Sequence, residues 1–401
     1  MKTTTQPEAV AVHSADAAHT AADPFSGPAF EEFLNEIRSR RGEIEKLRHV
    51  PPDIVRRLKS LGLYRAIVPR RFGGLQLPFA RFLEVVEAFS AADGSVGWVA
   101  SFAGTTYLAA LPIHHLESIY ADGPDVAFAG GLYPVQRAQR VPGGVKINGR
   151  WQFASGCMGA DLLGVGITIE GDVGQGGVPT PRLAVLRPDQ VEIVDNWQVV
   201  GLCGTGSHDL VVRDVVIPED WTFIRGAEGS SNLEEAVFHI PALARSALNF
   251  ATVGLGIARE ALDTVIGLAG GTVSLTGAPL AKDRAYVQRN LAEAESRLRA
   301  ARAFVFSEVG KVWDIVEAGN AVPPERTNLL RMAAIHAAEV AADVTVTASK
   351  IAGTTAIALS HPLQRYMRDT HVVSQHAFVG EGHLESAGRM LMGMSAAPGY
   401  P

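Results

Sequence analysis

The stretch from Lys146 to Glu219, with WQFASG at Trp151 to Gly156 and GTGSHD at Gly204 to Asp209, decides the fold of this chain. Short β-branched runs fill it: Val145, Ile147, Trp151 and Phe153 in alternation, then LAVL from Leu183, VEIV from Val191 and LVVRDVVIP from Leu210. Gly and Pro punctuate the runs, so the pattern predicts an antiparallel β-barrel or sandwich on the scale of about a hundred residues. Both quoted motifs are strand-end turns of small, hydroxyl-bearing residues. Such turns leave N–H groups and hydroxyls uncovered, and a flat ligand can approach the backbone closely there.

Outward from this island the chain is helical. Ile54, Leu58 and Leu61 recur at i, i+4 and i+7 and stop at Gly62. The segment Leu63 to Leu77, with Pro69, Gly73 and Gly74, breaks the helix before another starts near Phe79. Asp93 is placed to cap GSVGWVASFAGTTYLAAL, a thin helix of small residues that a ligand or a second helix can approach. Beyond Phe238, helices are expected over 245–268, 283–318, 325–352 and roughly 376–392, long enough for an up-and-down four-helix bundle. The predicted architecture is therefore α+β: a tail over 1–28 read as disordered, a helical domain over 29–123, a β domain over 124–232 and a helical bundle over 233–401.

Composition narrows the function classes. With 36 Lys and Arg against 42 Asp and Glu, the net charge is −6, and no long basic run is present for tracking along nucleic acid. No stretch has the length and apolarity of a membrane span. Two cysteines, Cys157 and Cys203, are too few for a disulfide framework and point to a reducing compartment, the cytoplasm by default. Neither has a neighbouring His to lower its pKa, so both are read as packing residues. The twelve histidines form no HExxH and the cysteines no CxxC; His114 and His115 are adjacent, which predicts rings pointing apart on a helix, and no metal is expected. Arg65, Arg70 and Arg71 in YRAIVPRRF could grip a phosphate, but read better as a solvated turn.

The order of helix, β island and bundle, with FGG (Phe72 to Gly74), DGSVGW (Asp93 to Trp98), WQFASG, VGLCGTGSHDLVVRDVVIPE (Val200 to Glu219) and LQRYMRDTHVVSQH (Leu363 to His376), resembles the acyl-CoA dehydrogenase fold superfamily. Within it the chain is more similar to the oxygenase components of two-component flavin monooxygenases. The resemblance implies reduced FMN or FAD delivered by a separate NAD(P)H:flavin reductase, O2 as co-substrate, a C4a-hydroperoxyflavin, and hydroxylation or N- or S-oxygenation of a small aromatic or heterocyclic substrate. It also implies a homotetramer.

Residue by residue, the resemblance makes His376, seven residues after Asp369, and Ser155 of the SG turn the catalytic candidates beside the flavin. Trp151, Phe153, Ala154, Gly156, Thr205 and Ser207 are implied as further flavin contacts. Trp98, Phe102, Thr106 and His371 are candidates for the substrate pocket. Thr106 stands where phenol hydroxylases of the group often carry a histidine, and threonine is a poor base for a phenol. Arg368 and Asp369 read as a structural pair. Two rival readings remain: a dehydrogenase-type desaturase, with Ala377 about where its glutamate base would fall and Glu381 as a shifted base, and a non-catalytic binding protein on the same fold.

Overall fold

A computed structural model describes residues 23–103, 105–174, 177–224, 232–269 and 279–397; the side chains of 105–107 and 269 are not among those described. Most of the tail expected over 1–28 lies outside these residues, but its last part is packed. Phe25 is buried and Asp23 pairs with Arg81 at 2.8 Å, immediately before α1 (Pro28–Ser39).

The N-terminal helices continue with α2 (Arg41–Leu47), α3 (Pro52–Leu61), α4 (Phe79–Ala92), α5 (Gly94–Ser101) and α6 (Ile113–Tyr120). α4 buries Phe79, Phe82, Leu83, Val86 and Phe89, each contributing roughly 1.5–3 kcal/mol of burial. Asp93 ends α4 and caps α5, its Oδ1 accepting from Ser95 N and Val96 N at 2.9 and 3.0 Å. Gly97 lets the two helices touch: a Cβ there would stand 2.0 Å from Ser90 Oγ. This contact sets where the next residue, Trp98, points.

The β domain is one seven-stranded sheet made of β1 (Phe128–Val141), β2 (Gly144–Ala154), β3 (Leu162–Ile169), β4 (Arg182–Leu186), β5 (Glu192–Val194), β6 (His208–Ile217) and β7 (Thr222–Ile224), in the order β5-β6-β2-β1-β3-β4-β7. It is mixed rather than wholly antiparallel, because β1 and β3 run parallel. β6 pairs with the outer edge of β2, and the chain leaving β2 crosses to the other edge of β1 and pairs there as β3. Trp151, Val145, Ile147, Leu163, Val165 and Leu210 form the core of this sheet.

The bundle is built from α7 (Ala242–Ala269), α8 (Ala285–Glu317), α9 (Pro324–Ala352), α10 (Pro362–Ser374) and the short α11 (His383–Leu391), with α9 packed against α7, α8 and α10. The first three match the expected spans closely. The fourth does not: instead of one helix over 376–392, α10 precedes His376 and α11 follows it. Leu363, Tyr366, Thr370 and Val373 carry the buried face before His376, and the chain turns between Ser374 and His383. His376 therefore sits in a turn and not on a helix. Among the described residues no helix is long and apolar enough to cross a membrane.

Candidate active site

A cavity of about 1110 Å³ lies between α5, the ends of β1 and β2, the loop before β6, the start of α7 and the turn after α10. On one wall stand Ser155, Ser207 and Thr205, all buried. They form a hydroxyl relay that ends on a backbone carbonyl. Thr205 Oγ1 donates to the Leu202 carbonyl at 2.9 Å, which uses its one proton. With Thr205 donating to the carbonyl, Ser207 Oγ, 2.7 Å away, donates to Thr205, and Ser155 Oγ, 2.7 Å from Ser207, donates to Ser207. Trp98 Nε1 donates to Ser155 at 3.0 Å. One lone pair of Ser155 remains, so towards the cavity this hydroxyl is an acceptor.

The loop carrying Thr205 is fixed from three sides. Asp369 Oδ1 accepts from Leu202 N at 2.6 Å, Ser95 Oγ from Gly204 N at 3.0 Å, and the Thr205 carbonyl from Gly156 N at 2.8 Å. Gly201 passes so close to α10 that a Cβ would lie 2.4 Å from the Arg368 carbonyl. Asp369 is buried, and burial pushes its carboxyl up to about 7, against the acceptance of Leu202 N–H, which favours the anion.

Across the cavity is an aromatic wall. Phe250 stacks on Trp98 at 4.7 Å and meets His376 at 4.3 Å; Phe378 and Phe102 flank them. Burial pushes His376 down to about 4, so the imidazole is neutral at physiological pH. Its Nδ1 accepts from Phe378 N at 3.2 Å, which leaves the proton on Nε2. The ring is thus a neutral N–H donor at the cavity edge rather than a cation.

The chain matches the family described as Acyl-CoA dehydrogenase, N-terminal domain, over residues 29–116, and Acyl-CoA dehydrogenase, C-terminal domain, over 248–381. An indole-3-acetate monooxygenase of Pseudomonas putida is 49% identical over 379 residues, 94% of this chain and 96% of that protein. The oxygenase subunit HsaA of a flavin-dependent monooxygenase from Rhodococcus jostii (strain RHA1) is 30% identical over 86% of this chain and 92% of its own length. The chain belongs to the flavin-dependent monooxygenases of the acyl-CoA dehydrogenase superfamily. A crystal structure of 3-HSA hydroxylase from Rhodococcus sp. RHA1 superposes on this monooxygenase with a TM-score of 0.85 at 26% identity, covering 94% of this chain and 99% of that one.

Of the residues expected to form the monooxygenase site, Ser155, Phe153, Thr205, Ser207, His376, Trp98 and Phe102 line the cavity. Phe153 does so in a left-handed conformation (φ 64) with its ring exposed, edge-on to Trp197. Trp151 and Ala154 are buried in the sheet core, and Trp151 Nε1 is spent on the Gly166 carbonyl at 2.7 Å. Gly156 acts through its backbone, holding Thr205 as above. His371 is exposed on α10 and does not line the cavity, since only the next residue, Val372, faces inward. The Thr106 side chain lies outside the described residues.

Arg368 and Asp369 both hold structure, though through different partners: Arg368 binds Glu45 Oε1 and Gln364 Oε1, each at 2.7 Å, and Asp369 holds Leu202. The rings of His114 and His115 do not diverge but lie 4.1 Å apart, both swung towards Asp220. Ala377 lines the cavity, whereas Glu381 is exposed and does not, so the shifted base of the dehydrogenase reading is misplaced. Cys157 and Cys203 are free and buried, and burial pushes the Cys157 thiol up to about 12. Arg65 and Arg71, partly exposed in the turn read as solvated, pair with Asp125 and Glu235.

Trp197, Phe250 and Arg245 also line the cavity and were not singled out from the sequence. Phe250 and Arg245 sit in an ordinary helical pattern, and only the side of α7 that meets the cavity distinguishes them.

Proposed function

We propose that this monooxygenase binds reduced flavin, supplied by a separate flavin reductase, through the Ser155 relay, and oxygenates an indole-type carboxylic acid in the cavity beside His376. The donor set fits the cofactor: a hydroxyl left as an acceptor suits the N5–H of reduced flavin and not the N5 lone pair of the oxidised form. Bound reduced flavin supplies the electrons that activate dioxygen. Ser155 accepts from the cofactor, Trp98 and Ser207 hold Ser155 in that role, and the wall of Trp98, Phe102, Phe250 and Phe378 keeps water out. His376 donates a hydrogen bond from Nε2 to oxygen on the reacting side.

The Ser155 relay is the observation that carries this reading, and anaerobic titration tests it. Reduced FMN or FAD should bind roughly tenfold or more tightly than the oxidised form, a difference of about one good hydrogen bond. Ser207→Ala frees the Ser155 proton to turn towards the cavity, so oxidised flavin should gain affinity and the ratio should shrink. Equal binding of both redox states by the wild type, or a ratio that Ser207→Ala leaves untouched, overturns it.

Arg245 supports the substrate class. It is buried, lines the cavity, and has Nη1 held by the Val237 and Ile240 carbonyls at 2.8 and 3.3 Å. It lies five residues before Phe250 on α7 and lines the same cavity, which can therefore hold an aromatic ring at Phe250 and a carboxylate at Arg245. Arg245→Met should raise KM for indole-3-acetate about 10- to 100-fold with a smaller change in kcat, the signature of lost charge-assisted binding. An equal rise for the neutral amide of the same acid would show that the carboxylate is not what Arg245 recognises.

A homotetramer is proposed with it: Ile357, Leu359, Leu391 and Met392, at the C-terminal end of the bundle, are 76%, 83%, 65% and 70% exposed and would be covered by other copies. Sedimentation velocity returning a 42.6 kDa monomer would exclude it. Two free buried cysteines fit the cytoplasm, which cell fractionation reads.

A further inference from the structure

Away from the cavity, α6 meets the turn that leads into β7. There His114 Nε2 and His115 Nε2 lie 3.6 and 3.0 Å from the same oxygen, Asp220 Oδ2, and the three potential ligand atoms fall within 4.8 Å of one another. In a tetrahedral shell with metal–ligand bonds of about 2.0–2.1 Å, two ligand atoms stand about 3.3 Å apart. The two observed separations bracket that value.

A second observation points to a ligand at the same place. His115 Nε2 is buried and makes no hydrogen bond that satisfies it, although Asp220 Oδ2 is 3.0 Å away, and its ring lies 4.3 Å from Trp221. A buried ring nitrogen without a partner is costly to leave so, and a coordinated cation satisfies it together with the carboxylate. Two imidazoles and one carboxylate form a donor set for Zn²⁺ and its first-row neighbours rather than for Mg²⁺ or Ca²⁺, which take oxygen ligands.

We propose that His114, His115 and Asp220 bind one divalent transition-metal ion of the Zn²⁺ type, with water completing the shell. None of the three lines the cavity, so the ion has no part in oxygenation. Its place in the fold gives it a structural effect. Ala109 and Ala110, shortly before α6, and Phe223 and Ile224, shortly after Asp220, all line the cavity. A bound ion would tie these two segments of the wall together from behind.

The test uses the full chain without an affinity tag, stripped with chelator and titrated calorimetrically with ZnCl₂, alongside thermal unfolding with and without Zn²⁺. Expected are one site per chain and a raised Tm, with binding weakened at least about tenfold in Asp220→Asn and in His115→Ala. Asp220 is half-exposed, so its isosteric replacement should fold; retained binding of reduced flavin checks this. Co²⁺ in place of Zn²⁺ should give the visible absorption of a tetrahedral site in the wild type and lose it in Asp220→Asn. Absence of Zn²⁺ binding by the wild type, or binding and Co²⁺ absorption that both variants retain, overturns the proposal.

Discussion

His376→Ala is expected to lower product formed per flavin oxidised by about 10²- to 10³-fold, the range seen when a positioned donor or proton-transfer group is removed from a reacting centre. Flavin oxidation itself should continue, with hydrogen peroxide released in place of product. His376→Gln, which keeps an N–H donor, should recover part of the yield. Because burial holds the imidazole near pH 4, the wild-type yield should show no His376 ionisation between about pH 5.5 and 8. A kinetic pKa near 6.5 that disappears in His376→Ala would mean that the ring works as a cation, against the neutral tautomer that Phe378 N–H imposes.

The same shift makes a stability statement. The folded pKa lies below the unfolded value of 6.5, so the stability His376 contributes is present above that value and is lost as pH falls through about 4. The alanine variant should be the less acid-sensitive of the two when urea midpoints are compared across this window.

Asp369→Ala should produce the largest loss of stability, about 2–4 kcal/mol, because it strands the buried Leu202 N–H and leaves a void beneath the loop that carries Thr205. The preference for reduced flavin should weaken with it, since the relay ends on the Leu202 carbonyl. Asp369→Asn separates charge from hydrogen bonding, as its amide oxygen can still accept from Leu202. The wild-type carboxyl is raised from 3.8 to about 7, so its contribution is full below 3.8 and is lost as pH rises through 7, where the folded state must hold a buried anion. Relative to wild type, Asp369→Asn should therefore be more stable at pH 8 than at pH 5. Urea midpoints that differ equally at both pH values would show that the carboxyl is ionised throughout.

Local chemistry alone determined much of this protein. Periodicity placed the three long helices of the bundle to within a few residues, alternation and β-branched runs placed β2, β4, β5 and β6 but not β1, β3 or β7, and Asp93 was legible as a cap because its partners are two and three residues away. The two small-residue turns were legible too, and Ser155, Thr205 and Ser207 do face the cavity. Tertiary structure decided the rest. Trp98 meets Ser155 across 57 positions of sequence and Leu202 meets Asp369 across 167, separations that no local propensity spans. The parallel pairing of β1 and β3 is a matter of sheet order that no run of residues states, and the turn at His376 comes where the buried face of α10 ends. The neutral histidine and the raised carboxyl follow from burial, which packing between distant segments creates; the order of residues states which groups can titrate, and only the folded interior sets where they do.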